Sequence, residues 1–211
     1  MIITKIKRIG NTNRFNVYTD EKYCGVFLDE ILARYKLKTD LEIDDSDFKE
    51  IKKENDARVA FDMAVSYLEK YNVSQKGIKD YLKKKNFDQQ TINSTIEKLQ
   101  EYGLVDDEKF AKNYFESLST SKGKRAIANK LREKGISSEI IDELLENVEE
   151  DDELEKAIVL AKKFVKNRQN DTKCVQKCLA HLIYKGYDYN VAQQATKIAL
   201  KNREVDSDDW I

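Results

Sequence analysis

The side chains with the most reactive chemistry lie close together near the C-terminal end: Cys174, Cys178 and His181. On a helix, positions four and three residues apart share one face, and two thiolates with an imidazole are zinc ligands. A zinc site also asks for a fourth ligand and usually a turn between ligand pairs, and the sequence offers neither. Cys178 further falls at a position that other parts of the chain fill with Ile78 and Ile127, so it is read as core. His181 has no serine nucleophile or carboxylate triad beside it. The paired carboxylates Asp106 and Asp107 lack partners at metal spacing. Following Gly103 and Leu104, they read instead as the cap of a helix carrying Phe110, Ala111 and Tyr114. There is no phosphate-binding glycine loop and no nucleophile elbow. The expectation is a non-enzyme with no catalytic residue, no metal and no cofactor.

What remains is charge. A net charge of −1 hides strong segregation: residues 154–203 hold 11 Lys/Arg against 3 Asp/Glu, and residues 70–85 hold six Lys against one Asp. Acidic runs bracket the first block, Asp151 to Glu153 before it and Glu204, Asp206, Asp208 and Asp209 after it. The candidate binding residues are Lys83, Lys84 and Lys85, then Lys124, Arg125 and Arg132, then Lys162, Lys163, Lys166 and Arg168, then Lys173, Lys177 and Lys185. Solvated helix faces are the ordinary use of such residues. Stacked modules would instead present them as a discontinuous stripe that meets a phosphate backbone or an acidic protein surface. No helix rich in Arg, Asn and Gln stands out for reading bases, which points away from a sequence-specific repressor. The acidic end, residues 204–211, is expected either to mask the basic block or to serve as a solubilising terminus.

The elements that must position these residues follow from composition and period. With 0 Pro and 7 Gly in 211 residues, and 36% charged residues, the composition argues against a many-turned sandwich or barrel and for charged helices. Residues 1–50 differ: alternation around Ile2 to Arg8, turn residues Gly10 to Asn13 and Asp20 to Lys22, and apolar Phe15, Val17 and Phe27 predict a two- or three-stranded meander. A short helix capped by Asp29 follows, then a charged linker over residues 40–56.

From Ala57 onward the pattern is helical and repeats. Ile78, Leu82, Phe87, Ile92 and Ile96 recur at an offset of 49 as Ile127, Leu131, Ile136, Ile141 and Leu145, and at a further 51 as Cys178, Leu182, Tyr187, Ala192 and Thr196. Lys85-Asn86-Phe87, Lys134-Gly135-Ile136 and Lys185-Gly186-Tyr187 punctuate each copy, a left-handed residue ending one helix before Asp88, Ser137 or Ser138, and Asp188 start the next. A further helix precedes each pair, about 57–71, 107–118 and 154–168. The unit is three helices in about 50 residues, present three times, a stacking repeat. The predicted boundaries are 1–50 for the extension, 57–105, 106–150 and 151–204 for the repeats, and 205–211 for the tail. No apolar run approaches the roughly 18–20 residues of a membrane span. With no secretory signal and an odd cysteine count, a cytoplasmic protein with reduced thiols is expected, and the repeat architecture points to an elongated monomer.

The residues around the repeat boundaries resemble the RecX family of bacterial regulators of the RecA recombinase. The likeness is carried by Leu99, Gly103, Leu104, Asp106, Asp107, Phe110, Ala111 and Tyr114, then by Gly123, Lys124, Ile127, Leu131, Lys134, Gly135 and Ile136. Ala60, Tyr67 and Leu68 agree with it before, and Leu182, Lys185, Gly186 and Tyr187 after. Tyr71 stands where many members carry Arg, and Lys124 where Pro often follows the glycine. The resemblance implies a mainly α, elongated molecule of three tandem three-helix repeats with a small strand-containing N-terminal extension. It also implies binding along the RecA–DNA filament, restraint of its ATPase, strand-exchange and coprotease activities, and a place in DNA recombination, repair and the SOS response. Weak, non-specific DNA binding accompanies that role. The alternative is a non-specific nucleic-acid-binding architectural protein that acts without RecA.

Overall fold

The computed structural model describes residues 1–166, 168 and 172–208, and for residues 150 and 202–208 it describes the backbone alone. The chain forms two compact units, Met1–Asp106 and Asp107–Ile211.

The first unit opens with strands β1 (Ile3–Arg8), β2 (Arg14–Thr19) and β3 (Lys22–Leu28), an antiparallel meander in the order β1-β2-β3. Asp20 and Glu21 both take positive φ, 45° and 65°, the backbone that a two-residue hairpin turn requires. Ile3, Val17 and Phe27 are fully buried on the inner face, under α1 (Asp29–Arg34) and the first half of α2 (Asp45–Leu68). Two sequence expectations are corrected here. Asp29 does not cap α1: it is the first helical residue, and the cap position is Leu28, with no side-chain cap bond. The charged linker is helix from Asp45 onward, capped by Asp44. Its charges face solvent while Phe48, Ile51 and Asn55 face the sheet, with the Phe48 ring stacked on Phe27 at 5.8 Å. Asn55 is fully buried and finishes the edge of β3, its Nδ2 donating to the Val26 carbonyl (2.8 Å) and its Oδ1 accepting from Leu28 N–H (3.0 Å). A buried amide paired on both sides replaces a missing strand neighbour.

The second half of α2 turns Ala60 and Ala64 onto α3 (Gln75–Lys84) and α4 (Gln89–Glu101), closing the first three-helix module. In the second unit, α5 (Asp107–Ser119), α6 (Lys124–Glu133) and α7 (Ser138–Glu146) share one core, and α8 (Glu150–Lys166), α9 (Cys174–Tyr184) and α10 (Tyr189–Asp208) share another. The repeat punctuation is the same in each. Asn86, Gly135 and Gly186 have φ of 66°, 81° and 92°, and the residue after each donates its N–H back five residues, to Leu82, Leu131 and Leu182. This is the left-handed helix stop with an apolar residue folding back over it. Asp88 and Ser137 then cap α4 and α7. The third copy departs in its side chains. Ala192 and Ala199 of α10 are buried where the first copy has Ile92 and Leu99, and Thr196 donates to the Cys178 sulfur at 3.6 Å where the other copies pack aliphatic groups. The side chains expected to form the acidic tail, from Glu204 on, lie outside the described residues. No described helix is long and apolar enough to cross a membrane.

Candidate functional site

The structure brings Cys174, Cys178 and His181 onto α9, and burial decides their chemistry. Both thiols are buried, and desolvation pushes the Cys178 thiol up, away from the reactive thiolate. His181 stacks on the Phe164 ring at 4.7 Å, and the Arg168 guanidinium lies 3.9 Å from the centre of the same ring. Desolvation, then the charges of Lys185 and Arg168, lower the imidazole's pKa and hold it neutral. Among the described residues no group of three His, Cys, Asp or Glu side chains gathers at metal-binding distance.

The candidate cations divide by position. Lys83 and Lys84 occupy the last turn of α3 and Lys85 its C-cap, all exposed, where positive charge suits the helix dipole. Lys162, Lys163 and Lys166 are exposed on α8, away from buried Ala157, Ala161 and Val165. Lys173 and Lys177 are exposed at the start of α9, and Arg132 is exposed on α6. Lys124, Arg125 and Lys185 come together, and internal bonds occupy the first two. Gly123 N–H donates to the Lys185 carbonyl (3.0 Å) and Arg125 N–H to that of Gly186 (3.2 Å). Glu153, buried at the start of α8, accepts from Lys124 N–H (3.0 Å) and lies 3.6 Å from its ammonium, which also donates to the Val148 carbonyl (2.9 Å). Arg125 pairs with Asp188. Gly123 offers no side-chain cap, so the third repeat satisfies the first N–H groups of α6. Tyr187 is buried at this joint, its hydroxyl pushed up to about 12 by burial and by Glu153. Lys124 and Arg125 therefore take part in the joint between repeats.

Sequence reasoning passed over one feature of the first unit. A groove of about 220 Å3 lies among Arg14 of β2, Met63 and Tyr67 of α2, Lys70 and Tyr71 just beyond it, and Tyr81 of α3. The Tyr67 and Tyr81 rings stack in parallel with centroids 4.2 Å apart, and Tyr71 stands 4.9 Å from Tyr67. Tyr67 and Tyr71 at helical spacing within a Lys-rich stretch were the available signal. Arg14 comes from a distant strand and carries none.

The fold and this surface define a class: tandem three-helix modules that follow a small sheet in the chain, with exposed lysines and two buried thiols on α9. Family descriptions match in the same order, "Regulatory protein RecX N-terminal domain" over residues 1–44, "RecX, second three-helix domain" over 106–145 and "RecX, third three-helix domain" over 150–196. The regulatory protein RecX of Listeria innocua is 33% identical over 92% of this chain and 74% of its own length, and that of Clostridium perfringens strain 13 is 34% identical over 91% and 92%. A crystal structure of regulatory protein RecX superposes with a TM-score of 0.68 at 25% identity, covering 93% of this chain and 98% of that one. RecX from Lactobacillus salivarius shares the fold, with a TM-score of 0.65 at 23% identity over 69% and 97%. The chain belongs to the RecX family of regulatory proteins, which points to a non-enzyme.

Proposed function

We propose that this protein binds the RecA–DNA filament and restrains its recombinase, ATPase and coprotease activities, acting as a cytoplasmic monomer in recombination, repair and the SOS response. Family membership along most of the chain is the observation that carries this reading. The surface supports it. Lys83, Lys84 and Lys85 in one unit, and Lys162, Lys163 and Lys166 in the other, present ammonium groups clear of the cores to phosphate or to acidic protein. Overall neutrality, with a net charge of −1, favours a protein that acts on a filament over one that coats bare DNA.

The test is binding to single-stranded DNA at fixed salt with and without RecA and a slowly hydrolysed ATP analogue. Tighter association with the RecA-coated DNA supports the reading. Equal occupancy of bare and coated DNA overturns it in favour of an architectural DNA-binding protein.

A further inference from the structure

The groove of the first unit has a chemistry distinct from the lysine clusters. Its floor is aromatic: Tyr81 and Tyr67 stack with an interplanar angle of 1°, and Tyr71 extends the group at 4.9 Å. The Tyr71 amide donates to the Tyr67 carbonyl at 3.0 Å, which fixes the backbone that carries this ring. Tyr71 nevertheless keeps 55% of its surface exposed. Arg14 and Lys70 line the same groove, with no carboxylate at ion-pair distance from either among the described residues, and no acidic side chain lines it. The Lys85 ammonium stands 5.7 Å from the centre of the Tyr81 ring, adding a third cation at the margin.

Size narrows the occupant. About 220 Å3 falls below the roughly 300–1,000 Å3 of pockets that enclose a whole small ligand, and suits one planar heterocycle whose remainder lies outside. A flat aromatic face with cations at its edge is the combination that holds unstacked bases of a single strand with little regard to sequence. Duplex DNA, with its bases already stacked, offers no face to Tyr71.

We infer that the Arg14–Tyr67–Lys70–Tyr71–Tyr81 groove is a subsite for single-stranded DNA: one extruded base stacks on Tyr71, and Arg14 and Lys70 hold the flanking phosphates. The subsite adds a direct DNA contact to the proposed regulatory function and rests on that reading only for DNA as the nucleic acid.

The test uses the full chain, without RecA, and the fluorescence anisotropy of a labelled oligothymidylate, the same backbone with abasic sites, and a duplex. The wild type binds oligothymidylate more tightly than the abasic strand. Tyr71→Ala weakens oligothymidylate binding by about five-fold or more, what one stacked base is worth at its low end. It leaves the abasic strand and the duplex unchanged, and Tyr71→Phe restores the difference. Lys70→Gln weakens both single strands together and flattens the salt dependence by about one neutralised phosphate. An oligonucleotide carrying 5-iododeoxyuridine cross-links on irradiation to the peptide containing Tyr67 and Tyr71. Equal wild-type affinity for the thymidylate and abasic strands, equal losses on both in Tyr71→Ala, or cross-links confined to the second unit each overturn the subsite. None of these outcomes touches the RecA reading, which is scored separately by filament ATPase.

Discussion

Single atoms decide how the second and third repeats are joined. A Cβ on Gly186 would lie 2.4 Å from the Ala126 Cβ and backbone N, and one on Gly123 would lie 2.5 Å from the Gly186 carbonyl oxygen. Gly186 also has φ +92°, so a side chain there meets both backbone strain and rigid neighbours. Gly103 has φ +63° and open space around the same position, which isolates the backbone part of the penalty. Gly186→Ala is expected to cost roughly 2–5 kcal/mol and Gly103→Ala about 1–2 kcal/mol, as read by urea denaturation. Equal losses would mean that the close approach of the two glycines contributes nothing. The same joint engages two of the candidate cations: Lys124 answers buried Glu153, and Arg125 pairs with Asp188.

The helix stops and starts are the best-defined local features of the chain, and their contribution depends on pH. Asp88 accepts from the Thr91 amide at 2.9 Å and from the Thr91 hydroxyl at 3.0 Å, and the amide bond is the chief reason its carboxyl titrates below the usual range. A depressed folded pKa gives stability that is complete above the unfolded value of about 3.9 and is lost as the pH falls through the folded one. Asp88→Ala should cost about 1 kcal/mol at neutral pH. Asp88→Asn keeps a capping oxygen, and should lose most of that acid-dependent component while retaining most of the stability. A wild-type acid profile in Asp88→Asn would show that another carboxylate carries it. These punctuation residues were legible in the sequence because caps and left-handed stops have narrow residue preferences. The strand meander, expected as two or three strands, and the helical repeats were legible from apolar periods of two and about 3.6. The start of α2 was not legible: Phe48 and Ile51 bury themselves within a stretch so rich in Asp, Lys and Glu that its apolar face is thin. The Arg14–Tyr81 groove was hidden because its residues converge only through tertiary packing of a strand against two helices.

For the molecule as a whole, near-neutral charge and segregated lysines set what binding can look like. Electrostatic attraction to DNA comes from exposed groups, so reversing Lys162, Lys163 and Lys166 to Glu should weaken DNA binding at low salt and lower the slope of log affinity against log salt by about 0.9 for each phosphate no longer neutralised. Thermal stability should remain within about 0.5 kcal/mol, because the three side chains are exposed and away from the α8–α10 core. An unchanged salt slope would remove α8 from the binding face. The central claim, regulation of RecA, is tested most directly by the rate of ATP hydrolysis of RecA assembled on single-stranded DNA as this protein is titrated in. The account predicts that hydrolysis falls with added protein at concentrations below those needed to saturate bare DNA. A rate that stays constant until the protein has covered the DNA itself would contradict it.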